Sequence, residues 1–192
     1  MRSLCVYCGS SDSVHPDYLA GAREMGKVLA QRQIGLVYGG GRTGLMGAVA
    51  NGVLEAGGVV KGVIVESMNT SSLAHDGLQT LEVTQTMQQR KWRMFELSDA
   101  FVALPGGFGT FDELFETITW AQIGVHQKPI GLLNIRNYFS HLWQMVKYAE
   151  QEGFIFQEHT QMLSISDKPV ELLNLLLQHQ PDELAVKRWM RQ

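Results

Sequence analysis

Basic charge is scarce in this chain, and so is cysteine. Lys and Arg total 16 against 19 Asp and Glu, a formal net charge of −3 over 192 residues. That balance gives no broad attraction to nucleic acid. The basic cluster near the end, Lys187, Arg188 and Arg191, reads as a solvated helix face. No apolar run is long enough to span a bilayer. The opening residues 1–8 are apolar too briefly for a signal peptide, so a cytoplasmic protein is expected, with no membrane or nucleic-acid partner. The two cysteines, Cys5 and Cys8, are spaced C-x-x-C. A redox pair of that spacing sits at a helix start, where the dipole lowers a thiol pKa. These lie in a strand-like run, where residues three apart face opposite sides. A zinc site needs further ligands, and there is no second cysteine pair. Two buried structural thiols are expected. The histidines, at 15, 75, 126, 141, 159 and 179, show no metal-ligand spacing, so no metal is expected. Neither a G-x-S-x-G nor the Gly-Lys-Ser/Thr of a P-loop is present.

What is present is an alternation of strands and helices joined by glycine turns. Hydrophobic content of 45% and charge of 18% suit one soluble domain over residues 1–192. Strands are expected at about 2–8, 34–38, 59–65, 81–83, 100–104, 129–133 and 163–165. Helices are expected at about 16–32, 44–56, 86–98, 110–123, 138–152 and 168–177, with 66–80 a polar loop. Repeated βα units imply an α/β fold, a Rossmann-like, doubly wound parallel sheet. Ligands in such folds bind at the carboxyl ends of the strands, where the Gly-containing turns fall.

Residues 105–113 read Pro-Gly-Gly-Phe-Gly-Thr-Phe-Asp-Glu directly after an apolar strand. Gly106, Gly107 and Gly109 let the backbone approach an anion, and the helix that follows aims its positive end at the same spot. Glu113 then has two readings. It is a carboxylate beside a phosphate cradle, or it closes a T-x-x-E capping box with Thr110. Asp112 suits the positive helix end and points about 100° away from Glu113. Gly39 to Gly44 matches G-x-G-x-x-G between a strand and a helix, with Glu66 at the end of the next strand to meet a ribose. It stands at the second βα turn, whereas a dinucleotide fingerprint usually occupies the first. Another nucleotide or phosphate contact, and glycines needed for packing, remain as readings. Arg90 and Lys91 fall within the apolar stripe marked by Met87, Met94 and Leu97. They are functional, or they snorkel or pair with Glu82 or Glu96. Arg93 lies outside the stripe and reads as solvated.

At these residues the chain resembles the Lonely Guy (LOG) proteins, cytokinin riboside 5′-monophosphate phosphoribohydrolases and their bacterial relatives. The family's P-G-G-x-G-T-x-x-E stands at Pro105–Glu113 and its Met-x-x-Arg-Lys at Met87–Lys91. Its Tyr-Gly-Gly-Gly-x-x-Gly-Leu-Met-Gly stands at Tyr38–Gly47. The opening Cys-Val-Tyr-Cys-Gly-Ser-Ser and Thr119-Trp120-Ala121-Gln122-Ile123-Gly124 match as well. One departure is Ser72, where plant members carry a substrate-contacting acid. The resemblance implies hydrolysis of the N-glycosidic bond of a purine nucleoside 5′-monophosphate, by a homodimer with no metal and no cofactor. It implies Glu113 and Arg90 as catalytic residues. Lys91, Gly107, Phe108, Gly109, Thr110, Gly40, Gly41, Thr119 and Met87 would bind substrate. A non-catalytic carrier of a phosphorylated ligand, similar to molybdenum-cofactor carrier proteins, is the alternative, and it would not require Glu113 and Arg90 as a pair. Relatives also carry the label lysine decarboxylase, but nothing here marks a pyridoxal-phosphate lysine.

Overall fold

The computed structural model describes residues 1–180. Seven strands form one all-parallel sheet: β1 (Ser3–Tyr7), β2 (Gly35–Tyr38), β3 (Val60–Val65), β4 (Thr80–Thr84), β5 (Ala100–Ala103), β6 (Ile130–Leu133) and β7 (Leu163–Ser166). Their order is β4-β3-β2-β1-β5-β6-β7. The helices are α1 (Pro16–Gln31), α2 (Gly44–Glu55), α3 (Met87–Glu96), α4 (Phe108–Gln122), α5 (Ser140–Gln151), α6 (Gln157–Thr160) and α7 (Pro169–Gln178). None of the described helices is long and apolar enough to cross a membrane.

The chain lays down β1 to β4 in one direction, then returns to place β5 on the free side of β1. Strand order reverses there, with Val6 beside Val102 and Tyr7 beside Ala103. A reversal leaves the loops after β1 and β5 diverging to opposite faces, which opens a crevice at their carboxyl ends. Both faces of the sheet are covered, and β1 shows how. Leu4 and Val6 join the core under α1, α2 and α7, with Met25, Val49 and Leu172. Cys5 and Tyr7 join the other core, with Met94, Phe95 and Leu114 from α3 and α4. This period of two on a doubly covered sheet makes the strand apolar at every position from Leu4 on.

The expected strands and longer helices are all present. The short β4 is longer than its apolar core of residues 81–83 suggests, because Thr80 and Thr84 also pair with β3. The segment 66–80 is more than a polar loop. It contains a 3-10 turn at Glu66–Met68 and an antiparallel bridge from Ala74 to Gly41. The short α6 has no counterpart in the sequence reading. The capping box expected at Thr110 and Glu113 is absent. The cap of α4 is Gly107, without a side-chain bond, and Phe111 N–H already donates to its carbonyl at 3.1 Å. The helix cap falls three residues earlier than the T-x-x-E pattern suggests, so Thr110 lies inside the first turn. The capping box that does form is at α3, where Gln89 N–H donates to Thr86 Oγ1 at 3.2 Å and Thr86 N–H to Gln89 Oε1 at 3.3 Å. The basic cluster Lys187, Arg188 and Arg191 lies outside the described residues.

Candidate active site

A cavity of about 520 Å³ opens at the strand-order reversal. Its floor is the end of β1 and the turn beyond, with Val6, Cys8, Gly9 and Ser10. Gly107, Phe108, Gly109, Thr110 and Glu113 come from the start of α4, and Met87 and Arg90 from α3. Gly39, Gly41, Thr43 and Met46 come from the turn after β2, and Ile64, Met68 and Leu73 from β3 and the segment after it.

Arg90 spans the cavity floor. Its Nε donates to the Val63 carbonyl at 3.0 Å and its Nη1 to Glu113 Oε1 at 2.9 Å. Both side chains are largely hidden from water, 12% exposed for Arg90 and 11% for Glu113. Burial holds the Glu113 carboxyl above its ordinary pKa, against the opposing pull of the Arg90 guanidinium. The site therefore contains a carboxylate that gives up its proton reluctantly and a cation fixed beside it. Arg90 owes its position to space as much as to charge. A Cβ at Gly39 would lie 2.0 Å from its Nη2. Behind it, Phe95 stacks on Phe101 and meets Trp120 edge-on, which holds α3 on the sheet and against α4.

The two glycine turns differ in what their helix ends have left to offer. At α2, Gly44 N–H donates to Asp12 Oδ1 at 2.8 Å. Leu45 and Met46 N–H both donate to the Gly9 carbonyl, at 2.9 and 3.3 Å. Gly44 itself has φ +60, and a Cβ there would lie 2.4 Å from the Ser10 carbonyl carbon. The donors at the start of α2 are thus consumed by the chain, which leaves this helix end without the phosphate contacts of a dinucleotide fingerprint, while Gly39, Gly41 and Thr43 before it line the cavity. Glu66, the acid expected to meet a ribose, is exposed and does not line the cavity. At α4 the first-turn N–H groups of Phe108, Gly109 and Thr110 have no carbonyl to bond in their own helix. Gly106 is required by packing, since a Cβ would lie 2.1 Å from Thr110 Oγ1. Gly107 and Gly109 are not, because a Cβ on either meets nothing within 4 Å. Both line the cavity.

Of the residues singled out from sequence, Glu113, Arg90, Met87, Gly41, Gly107, Phe108, Gly109 and Thr110 meet in this one cavity. Gly40, Lys91 and Thr119 do not line it. Gly40 lies against Leu81 and Ile64 and accepts the His75 N–H at 2.9 Å. Thr119 is exposed on α4 and donates to the Phe115 carbonyl. Lys91 pairs with Asp112 and Glu116 at 3.0 and 3.1 Å. The acids expected to partner Arg90 or Lys91 belong to Arg93 instead, which is paired rather than free in solvent. It binds Glu82 at 2.6 Å and Glu96 at 3.3 Å. Sequence reasoning missed Ser10, Met68 and Leu73. Two apolar residues in the polar stretch 66–80 were the available signal for the last pair.

Cys5 and Cys8 are buried free thiols in opposite cores, as residues three apart on a strand require. Burial pushes both well above the ordinary thiol range. A disulfide reagent is expected to leave both unmodified in the native protein on the timescale that titrates both after denaturation. Among the described residues, no group of three His, Cys, Asp or Glu side chains is placed to hold a metal ion.

Comparison with known proteins bears on the fold and on descent. The family model described as possible lysine decarboxylase matches residues 46–176. The chain is 40% identical to cytokinin riboside 5′-monophosphate phosphoribohydrolase LOG7 of Arabidopsis thaliana, over 97% of this chain and 87% of that protein. It is also 40% identical to the probable phosphoribohydrolase LOGL2 of Oryza sativa subsp. japonica, over 99% of this chain and 78% of that one. Among solved structures, the molybdenum cofactor binding protein of Rippkaea orientalis superposes with a TM-score of 0.70 at 23% identity, over 91% of this chain and 94% of that one. The molybdenum cofactor carrier protein of Chlamydomonas reinhardtii does so with 0.70 at 20% identity, over 92% and 98%. At that identity the two structures bear on the fold alone. The relatives at 40% identity bear on descent, and by them the chain belongs to the LOG family.

Proposed function

We propose that this protein is a single-domain nucleoside 5′-monophosphate phosphoribohydrolase. It hydrolyses the N-glycosidic bond of a purine nucleotide, with N6-modified bases of the cytokinin type among its substrates, and releases free base and ribose 5-phosphate. The observation that carries the reading is the buried Arg90–Glu113 pair, set one helical turn from the open N-terminus of α4 in a single cavity. The names of the 40% identical relatives support it.

In this reading the 5′-phosphate sits on the N–H groups of Gly107 to Thr110, where the helix dipole favours an anion. Glu113 follows one turn later on the same face, about 5 Å along the axis, and so meets the ribose. As the C–N bond lengthens, positive charge grows on C1′. The Glu113 carboxylate stabilises it, orients the water whose oxygen bonds to C1′, and takes up the proton that water loses before passing it to solvent. The bonding pair departs with the purine, which leaves once a ring nitrogen is protonated or strongly hydrogen-bonded. Arg90 donates to that base or positions the sugar. Met46, Met68, Met87, Ile64 and Leu73 supply an apolar, adaptable wall for the base and its substituent. Lys91, Thr119 and Gly40 stand outside this set because they do not line the cavity. A carrier of an intact ligand needs the phosphate end of this cavity but not the acid–cation pair.

The reading carries a cytoplasmic homodimer with its sites near the subunit contact. Phe108, 93% exposed at the cavity mouth, supports such a contact. Sedimentation at twice the chain mass is the check.

The phosphate end is tested by comparing AMP with adenosine. Base release from AMP is expected to exceed that from adenosine by at least about 10³-fold in kcat/KM, as loss of a charged, multiply bonded group implies. Equal rates would contradict the assignment. Gly109→Ala tests the same contact from the protein side. Alanine is favoured over glycine in a helix by about 1 kcal/mol, and no atom obstructs it. The variant is expected to melt no lower than the parent while KM for AMP rises about tenfold or more.

A further inference from the structure

Arg90 and Glu113 reach each other from two helices, and something must hold those helices in register. Their sequence neighbours are arranged in parallel. Lys91 follows Arg90 on α3, and its Nζ bonds Asp112 Oδ2 at 3.0 Å and Glu116 Oε2 at 3.1 Å, on either side of Glu113 along α4. The Lys91 side chain is 13% exposed, nearly as hidden as Arg90, so its ammonium has exchanged most of its water for these two carboxylates. Such a charge is stable only while both partners stay in reach. It lies outside the cavity wall and touches the site only through the two helices.

We propose that Lys91 is a positioning residue, which clamps α3 to α4 through Asp112 and Glu116 and so sets the geometry of the Arg90–Glu113 pair. The inference rests on the phosphoribohydrolase reading for its kinetic consequences, but not for its structural one. Lys91 also has an electrostatic effect. Glu113 is faced by Arg90 and Lys91 from α3, by Asp112 on its own helix, by Cys5 and Tyr7 on β1, and by Cys8 just beyond that strand. Burial raises its pKa, Arg90 lowers it, Asp112 raises it and Lys91 lowers it. Removing the Lys91 charge leaves the Asp112 charge uncompensated beside Glu113.

The test compares Lys91→Met, Lys91→Arg and Asp112→Asn by steady-state kinetics across pH and by carbon NMR titration of Glu113. Lys91→Met is expected to lower kcat by about 10- to 100-fold, the cost of a displaced pair, with KM changed less than threefold. Its Glu113 titration, and the acid limb of kcat, should move up. Lys91→Arg should return both towards the parent, and Asp112→Asn should move the Glu113 titration down. If Lys91→Met does not fold, the Arg and Asn variants decide the matter by the same shifts. A raised KM with kcat and the Glu113 titration unmoved would overturn the proposal and make Lys91 a substrate contact. Parent-like kinetics in Lys91→Met would also overturn it. A parent protein that cleaves no nucleotide, yet whose Glu113 titration moves with Lys91, would refute the functional reading and leave the clamp standing.

Discussion

Glu113→Gln is expected to reduce kcat for a purine nucleoside monophosphate by about 10³-fold or more, which is the scale of losing a preorganised charge that stabilises the transition state. KM should change little, because glutamine still accepts the Arg90 hydrogen bond and the phosphate contacts are untouched. Glutamine can stand in a capping box as glutamate does, so the substitution would spare the helix start even if Thr110 and Glu113 formed one. The cap is Gly107, so the helix start does not depend on Glu113. The acid's raised pKa adds a pH signature. With the ionised form active, the parent's kcat should fall on acidification with a midpoint above the ordinary carboxylate value of about 4.3. Stability should show the same group with the opposite slope. A carboxyl whose pKa is higher in the folded chain holds its proton more tightly there. Its contribution to stability is present below the unfolded pKa and is lost as pH rises through the folded one. Glutamine lacks that loss, so melting curves of variant and parent should shift in the variant's favour as pH rises above the ordinary carboxylate value.

Gly39→Ala is expected to abolish most turnover without altering a single charge. A methyl group at Gly39 would enter the space of the Arg90 guanidinium, 2.0 Å from Nη2. The guanidinium is also tied to the Val63 carbonyl and Glu113, so it cannot yield without breaking one of these bonds. A misplacement near 1 Å costs about 100-fold in rate. The comparison that isolates the cause is Arg90→Met, whose kcat defect Gly39→Ala should approach. The double variant should be no worse than Arg90→Met alone, because the glycine acts through the arginine. A Gly39→Ala protein of normal activity would show that Arg90 does not need its observed position.

These two residues also mark how far the sequence could be read. The parallel sheet was legible because β1 from Leu4 on, β2 and β5 are apolar at every position and each runs into a glycine turn. The cavity's position followed, since strand ends and turns coincide. The α4 loop was legible for the same reason. The 39–44 turn was misleading, because G-x-G-x-x-G describes backbone shape and says nothing about where donors go. Here Asp12 and the Gly9 carbonyl, both distant in sequence, occupy them. Ion pairing failed in a similar way. Helical spacing placed Arg90, Lys91 and Arg93 around α3 but not the acids across from them. Glu82 and Glu96 went to Arg93, Asp112 and Glu116 to Lys91, and Glu113 to Arg90. Apart from Arg93–Glu96, three residues apart on α3 and legible from helical spacing, those choices depend on how α3 lies against α4 and β4, a tertiary fact that no periodicity encodes. Met68 and Leu73 escaped notice because apolar residues in a polar loop acquire meaning only once the bridge from Ala74 to Gly41 folds the loop over the cavity.

The most direct test of the account is to incubate the protein with N6-isopentenyl-AMP and identify what comes off. The account predicts free N6-isopentenyladenine and ribose 5-phosphate in equal amounts, formed over many turnovers and abolished in Glu113→Gln. Recovery of the intact nucleotide, bound to the protein and uncleaved, would contradict it and identify a carrier.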